Sequence, residues 1–125
     1  MKIKDIKFKA KRLDGKGWVI GDLLHSYENG AIIVPIEGGG AFSVAQSTVC
    51  QFTGENDMNG NEIYIGDIIS NLETGSIIEV TWNERLKRLD CKFLNADKGL
   101  EVPFGIFVSR CKRIVVVGNK FDKEK

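Results

Sequence analysis

Short runs of β-branched and aromatic residues, separated by glycine, asparagine and aspartate, constrain the fold of this 125-residue chain most. Within several runs the apolar residues alternate with polar ones, as in residues 7–11, where three lysines alternate with Phe8 and Ala10. Such alternation is typical of strands with one buried face, because successive side chains of a strand point to opposite faces. The pattern predicts an all-β protein whose short antiparallel strands form a small barrel or sandwich.

Ten runs are predicted to be strands: 7–11, 18–24, 31–36, 41–44, 51–53, 62–70, 78–82, 89–93, 102–108 and 114–117. Pro35 has no N–H to donate to a sheet ladder, so it places the third strand at a sheet edge. Inward alternation places Trp82 and Phe93 in the core. In the turn after the second strand, Asn29 and Gly30 are expected to supply the positive φ angles of a tight hairpin.

The length predicts a single domain, residues 1–125, with two lobes. An N-terminal β-hairpin lobe is expected at about 1–50, a C-terminal SH3-like barrel lobe at about 51–119, and a charged tail at 120–125. The barrel expectation comes from Gly66 and Asp67, which interrupt a strand of β-branched residues. No apolar stretch is long enough for a signal peptide or a membrane span, so a cytoplasmic protein is expected.

Charge is segregated along the chain, although the net charge is only +1. Residues 1–16 carry seven basic and two acidic residues, giving +5, and residues 17–84 carry ten acidic and no basic residues, giving −10. Residues 85–125 carry eleven basic and five acidic residues, giving +6. Two interpretations stay open: the acidic middle meets the basic ends within one molecule, or it meets those of a neighbouring copy.

The most distinctive segment is QFTGENDMNGNEIYIGDII, residues 51–69. Asp57, Asn59 and Gly60, with the glutamate two residues before Asp57, match the first positions of an EF-hand calcium loop. The twelfth position, which needs a bidentate carboxylate, is Gly66, so calcium binding is not expected. The segment is instead interpreted as a hairpin whose turn uses the left-handed backbone geometry that Asn59 and Gly60 suit.

The same segment resembles the signature of the YopX family of small phage and prophage proteins. The motif residues that carry the resemblance include Gln51, Thr53, Gly54, Asp57, Asn59, Gly60, Gly66 and Asp67. The resemblance extends to the first two strands and to the closing strand at 116–119, while Cys50, Glu55 and the glycines at 38–40 depart from the pattern. It implies an all-β fold, phage origin and self-association, with no assigned reaction.

No catalytic residue, metal site or cofactor is predicted. His25 is the only histidine, and nothing in its spacing signals the partner that a nucleophile pair would need. The three widely spaced cysteines form no C-x-x-C pair, and the alternation around Cys91 favours buried thiols over metal ligands.

Two basic clusters are the candidate contacts with nucleic acid or with a partner protein: Lys7, Lys9, Lys11 and Arg12, and then Arg85, Lys87 and Arg88. Small β-barrels bind nucleic acid through such faces by stacking bases on aromatic rings. Here the aromatic residues mostly alternate inward, and the acidic middle segment repels phosphate. The sequence therefore favours a non-enzymatic protein that works through protein contacts, as a homo-oligomer or with other phage or host proteins. A nucleic-acid-binding accessory protein is the alternative.

Overall fold

The computed structural model of the chain describes residues 2–96 and 100–122, and within them the protein is almost entirely β, as the sequence predicted. The strands found there are β1 (Phe8–Lys11), β2 (Trp18–His25), β3 (Ala31–Val34), β4 (Phe42–Val44), β5 (Cys50–Asn56), β6 (Glu62–Tyr64), β7 (Asp67–Asn71), β8 (Ile77–Asn83), β9 (Arg88–Phe93), β10 (Glu101–Pro103) and β11 (Ile114–Asn119). The same residues form one α-helix, α1 (Phe104–Arg110), and 3-10 turns at Ile3–Asp5, Tyr27–Asn29 and Gln46–Thr48. The predicted tail at 120–125 falls outside the described residues from position 123 onward.

Two antiparallel sheets contain these strands. The first sheet has the order β4-β3-β2-β1-β5-β6, and the second has the order β10-β9-β8-β7-β11. Neither sheet is closed into a barrel, so the closed form expected of the C-terminal half is not the one found. The chain leaves the second sheet at Pro103, where β10 ends and α1 begins, and it re-enters at the opposite edge as β11.

The chain divides into two compact units, an N-terminal unit that ends at Gly54 and a C-terminal unit that begins at Glu55. In the N-terminal unit, β1 pairs with both β2 and β5, and β2 forms a hairpin with β3. The buried members of the hydrophobic cluster in this unit are Ala10, Ala31, Ile33 and Val44. Two of these four are alanines, so the cluster buries little apolar surface.

The hydrophobic cluster of the C-terminal unit is larger. Its buried members are Ile63, Ile69, Ile78, Val80, Cys91, Phe104, Phe107 and Ile114. Helix α1 contributes to this cluster, so the strand predicted at 102–108 is wrong beyond Pro103. The helix presents Phe104, Phe107 and Val108 to the cluster at the i, i+3, i+4 spacing of a helical face. Pro103 suits the start of a helix, because the N–H that it lacks would have no intrahelical partner there.

Two further expectations are wrong. Strand β3 lies between β2 and β4 rather than at an edge, since Pro35 follows the last paired residue, Val34, and interrupts no ladder. Trp82 is 48% exposed and not in the core. Val80 is the last fully buried side chain of β8, and the indole of Trp82 reaches outward to donate from Nε1 to Glu84 Oε2 at 2.7 Å. Phe93 is half-buried and packs against the C-terminal cluster.

The turn between β2 and β3 also differs from the expectation. Gly30 has φ −76°, and the left-handed residue is Glu28, with φ 60° and ψ 39°. The connection is longer than a two-residue hairpin: Ser26 N donates to Gly30 O at 3.0 Å, and a 3-10 turn fills the space between them. The positive φ therefore falls in the middle of the turn, on a residue that tolerates it poorly.

Candidate interaction surfaces

Asp57 organises the turn of the central motif. Its Oδ1 accepts hydrogen bonds from the backbone N–H groups of Asn59 at 2.9 Å and Asn61 at 2.8 Å. Gly60 N donates to Asp57 O at 3.0 Å, and Gly60 has φ 83°. A turn followed by a left-handed glycine is a common three-residue hairpin connection. Asn59 has no positive φ, so glycine alone supplies the left-handed geometry.

The same turn covers the outer edge of strand β11. Asp57 Oδ2 accepts a hydrogen bond from the backbone N–H of Val116 at 2.9 Å, and Met58 N donates to Ile114 O at 3.0 Å. These two groups of β11 point away from β7, the strand with which β11 pairs. Exposed edge groups invite strand addition by another chain. The motif turn therefore blocks strand addition at this edge.

The hydrogen bonds also define the charge state of Asp57. Burial raises the pKa of this carboxyl, but the N–H groups of Val116, Asn61 and Asn59 stabilise the ionised form, and the pKa falls below its usual value. Both carboxylate oxygens are directed at N–H donors and not at a cation position. In the part of the chain that the structure describes, no group of three or more His, Cys, Asp or Glu side chains is arranged to hold a metal ion.

Asp67 performs a similar structural role at the predicted bend. Its carboxylate is completely buried and accepts from Tyr64 N at 2.7 Å and from Asn119 Nδ2 at 2.9 Å. Gly66, beside it, donates to Val80 O at 2.8 Å and accepts from Lys120 N at 3.0 Å. The interruption between β6 and β7 is thus the point at which hydrogen bonds connect the motif to the end of β11. The remaining motif residues, Gln51, Thr53 and Gly54, lie on β5.

The first basic cluster runs along strand β1 and the residue on either side of it, and its cations rest on aromatic rings. The distances to ring centroids are 4.9 Å for Lys7 over Phe52, 4.9 Å and 5.8 Å for Lys9 and Lys11 over Trp18, and 4.2 Å for Arg12 over Phe42. In cation–π contacts of this kind, the quadrupole of the ring attracts the cation. The ring faces that a nucleic-acid base would stack on are therefore already occupied by the protein's own cations.

The second basic cluster lies at the turn between β8 and β9, beside a groove of about 610 Å³. Lys87 forms an ion pair with Glu84, and Arg88 Nε donates to Asp90 Oδ1 at 2.7 Å. Asp90 is completely buried, and although burial raises its pKa, hydrogen bonds from Asn83 and Arg88 bring the pKa below its usual value. Arg85 is exposed. Two of the three cations thus meet carboxylates at contact distance, and the groove carries mixed charge.

The cysteine thiols are largely buried, and the histidine lies at a strand end. Cys50 and Cys91 are buried, as expected, and Cys111 is half-buried. Burial, with the neighbouring Asp90 and Cys111, raises the pKa of Cys91 to about 12, so its thiol stays protonated at neutral pH. His25 is exposed at the end of β2, the strand-end position expected of it.

One surface feature that the sequence did not reveal lies at the turn between β2 and β3. Tyr27 is 97% exposed, and Glu28 beside it is exposed with the left-handed backbone noted above. We name Tyr27 and Glu28 the Tyr27 knob. The sequence signal was available: an aromatic residue next to the turn residues 28–30 lies outside the alternation that buries the aromatic residues of strands.

A second feature lies at the opposite end of the same hairpin. A groove of about 510 Å³ is lined by Lys4, Lys7, Ile20, Pro35, Ile36 and Glu37. We name it the Ile36 groove. Ile20 and Ile36 are 44% and 61% exposed, and Lys4 and Glu37 are exposed charged residues. The groove therefore combines apolar side chains with two cations, Lys4 and Lys7, and one carboxylate, Glu37.

A family model described as YopX protein matches residues 7–124, nearly the whole chain. No curated protein matches it. Across the described residues, the structure contains no helix with the length and apolar character needed to cross a membrane.

Proposed function

The chain belongs to the YopX family, and from that premise we propose that it is a non-enzymatic, phage- or prophage-encoded interaction module that assembles with further copies of itself in the host cytoplasm. The exposure of large apolar side chains on the N-terminal unit carries the proposal. The most exposed of them are Tyr27 at 97%, Ile3 at 87%, Leu13 at 67% and Ile36 at 61%. Two exposed apolar side chains, Ile20 and Ile36, line one groove, and clustered exposed apolar surface marks interaction sites in soluble proteins.

Faces, not strand edges, are the surfaces available for such assembly. The motif turn covers the outer edge of β11, and β10 is a three-residue strand that ends in Pro103. Edge strand β4 meets the end of β1, where Leu13 N donates to Ser43 O at 3.0 Å and Ala45 N donates to Lys11 O at 2.8 Å. Short, proline-ended and covered edges resist strand addition. Ile33, on the strand first expected at an edge, is completely buried.

The carboxylates support a non-enzymatic role. The three buried ones, Asp57, Asp67 and Asp90, accept hydrogen bonds from groups within the protein and are already used to hold its fold. A general acid or base needs a carboxyl that can reach a substrate proton. The buried thiol of Cys91, whose pKa is raised, is likewise unsuited to nucleophilic catalysis.

Light scattering across a dilution series tests the proposal. We expect the mass to exceed 13.9 kDa and to rise with protein concentration. A mass of 13.9 kDa at every concentration up to about 100 μM, well above the typical Kd range of specific protein complexes, would reject self-assembly.

Nucleic-acid binding is the second candidate, favoured by the row of four cations along strand β1. Phosphate contacts of this kind make affinity fall steeply as salt rises. Retention on single-stranded DNA at 50 mM salt that is lost at 200 mM, and lost also in Lys9→Gln with Lys11→Gln, would establish this alternative. Equal retention on an uncharged resin would dismiss it.

A further inference from the structure

The hairpin of β2 and β3 carries complementary features at its two ends. The Tyr27 knob lies at the closed end, after the pair His25 and Ala31, and the Ile36 groove lies at the open end, after the pair Asp22 and Val34. Ile20 and His25 are five residues apart on one strand, which is roughly 17 Å at about 3.3 Å per residue. The knob of one molecule is therefore too far from its own groove to fill it.

The knob has the properties of an interaction anchor. Tyrosine is enriched among the residues that dominate binding energy, because it supplies a large apolar ring with a polar tip. Glu28, at its side, holds a left-handed backbone that costs energy for a residue other than glycine. Such local strain is concentrated at functional sites. Here it holds an almost fully exposed ring away from the body of the unit.

The groove has the complementary chemistry. Ile20, Pro35 and Ile36 offer an apolar floor for the ring. Lys4 and Lys7 offer cations for the Glu28 carboxylate of an incoming knob, and Glu37 offers an acceptor for the Tyr27 hydroxyl. A knob that carries one acid and one hydroxyl donor thus matches a groove that carries two cations and one carboxylate.

We infer that the Tyr27 knob of one copy docks into the Ile36 groove of the next copy, an assignment that rests on the self-assembly proposed above. Each molecule then uses two different surfaces, so the contact is head-to-tail and generates a ring if it closes or a filament if it does not. The occupant of the groove is a second copy of this chain, with its ring buried between Ile20 and Ile36.

A complementation experiment tests the inference with two variants of the full chain. Tyr27→Ser removes the knob and leaves the groove, whereas Ile36→Glu repels the knob from the groove and leaves the knob. Both positions are exposed, so the folded state is retained, which melting curves verify. Leu13→Ser, which removes an exposed apolar side chain of the same unit that belongs to neither the knob nor the groove, is the matched control. Light scattering follows each variant alone and the equimolar mixture.

Each variant alone is expected to self-associate at least roughly tenfold more weakly than the unmodified protein, as hot-spot truncations do, while Leu13→Ser is unchanged. The equimolar mixture is expected to form a dimer of twice 13.9 kDa, because it contains one intact knob and one intact groove. A mixture that stays monomeric, or variants that assemble like the unmodified protein, would overturn the inference while leaving self-assembly in place. An unmodified protein that is itself monomeric would reject both.

Discussion

The C-terminal unit buries eight side chains in one hydrophobic cluster, whereas the cluster of the N-terminal unit contains four, two of them alanines. Buried polar residues divide in the same way: among the described residues, Asp57, Asp67, Asn71, Asp90 and Asn119 belong to the C-terminal unit and Thr48 belongs to the N-terminal unit. Large apolar side chains are exposed in both units, but the four most exposed are N-terminal: Tyr27, Ile3, Leu13 and Ile36. The C-terminal unit therefore has the larger core, and the N-terminal unit has the most exposed apolar side chains.

The largest expected difference between the units is in the response to aromatic truncation. Phe104 is 3% exposed in the C-terminal cluster, and Phe104→Ala should lower the free energy of unfolding by about 3–5 kcal/mol, since it leaves a cavity. Tyr27→Ala should change it by no more than about 0.5 kcal/mol in dilute protein. Denaturant unfolding of both variants makes the measurement. Equal losses for the two would erase the distinction between the units.

The buried carboxylates should make stability depend on pH through the C-terminal unit. Asp57 has a folded-state pKa below its unfolded value, so its stabilising contribution is present above about pH 5 and is lost as the pH falls through the folded pKa. Asp57→Asn should cost about 1–3 kcal/mol at pH 7, because the buried N–H of Val116 loses its acceptor. It should also flatten the fall in stability between about pH 5 and pH 2.

Asp22→Asn is the control for this prediction, because Asp22 is exposed on the N-terminal sheet. Its effect at pH 7 should stay within about 0.5 kcal/mol. If unfolding curves of Asp57→Asn kept the full acid sensitivity of the unmodified protein, the hydrogen bonds assigned to this carboxylate would not be what stabilises it.

Two glycines outside the turns should behave oppositely in the two units. A Cβ on Gly21, in β2, would lie 2.1 Å from Val34 O, so Gly21→Ala should destabilise by about 1–3 kcal/mol through overpacking. A Cβ on Gly105, in α1, meets nothing within 4 Å, and Gly105→Ala should be neutral or stabilising by up to about 1 kcal/mol. Thermal melts of the two variants make the measurement. A melting temperature that falls for Gly105→Ala and not for Gly21→Ala would mean that Gly21 is not the site of the close backbone approach.

The smallest expected effect concerns the motif turn. Gly60→Val should lower the free energy of unfolding by about 1 kcal/mol or slightly more, because a β-branched residue is strained at φ 83°. Gly60→Asn should cost less, since asparagine tolerates the left-handed region. Calcium should leave the melting temperature of all three proteins unchanged, and a calcium-induced rise would mean that the Asp57 oxygens bind a cation.

Alternation predicted the strands because most of them have one buried face. The strand prediction for residues 102–108 is wrong because β-branched and aromatic residues there resemble a strand, although Phe104, Phe107 and Val108 also fit a helix. The burial prediction for Trp82 is wrong for another reason: periodicity gives the face of a strand and not the point at which the core ends. The β11 partners of Asp57 and Asp67, Val116 and Asn119, lie 59 and 52 residues away, and no local pattern reveals such contacts.

The candidate surfaces were predicted only in part. Sequence identified the basic clusters, but it did not reveal that Lys9 and Lys11 lie over Trp18, because cross-strand register brings those residues together. The sequence also did not show that Tyr27 and the Ile36 groove lie on the same hairpin, because their positions depend on how β2 pairs with β3. Charge segregation left contact between copies as one of two interpretations, and the exposed Tyr27 and Ile36 are where we propose that such a contact forms.

Amide hydrogen exchange at low and high protein concentration tests the contrast between the units most directly. If the N-terminal unit is the interaction surface, protection at residues 26–30 and 36–37 should increase with concentration, whereas amides in the C-terminal cluster, such as those of β7 and β8, should exchange at the same rate throughout. Protection that increases with concentration only in the C-terminal unit, or nowhere in either unit, would contradict the account.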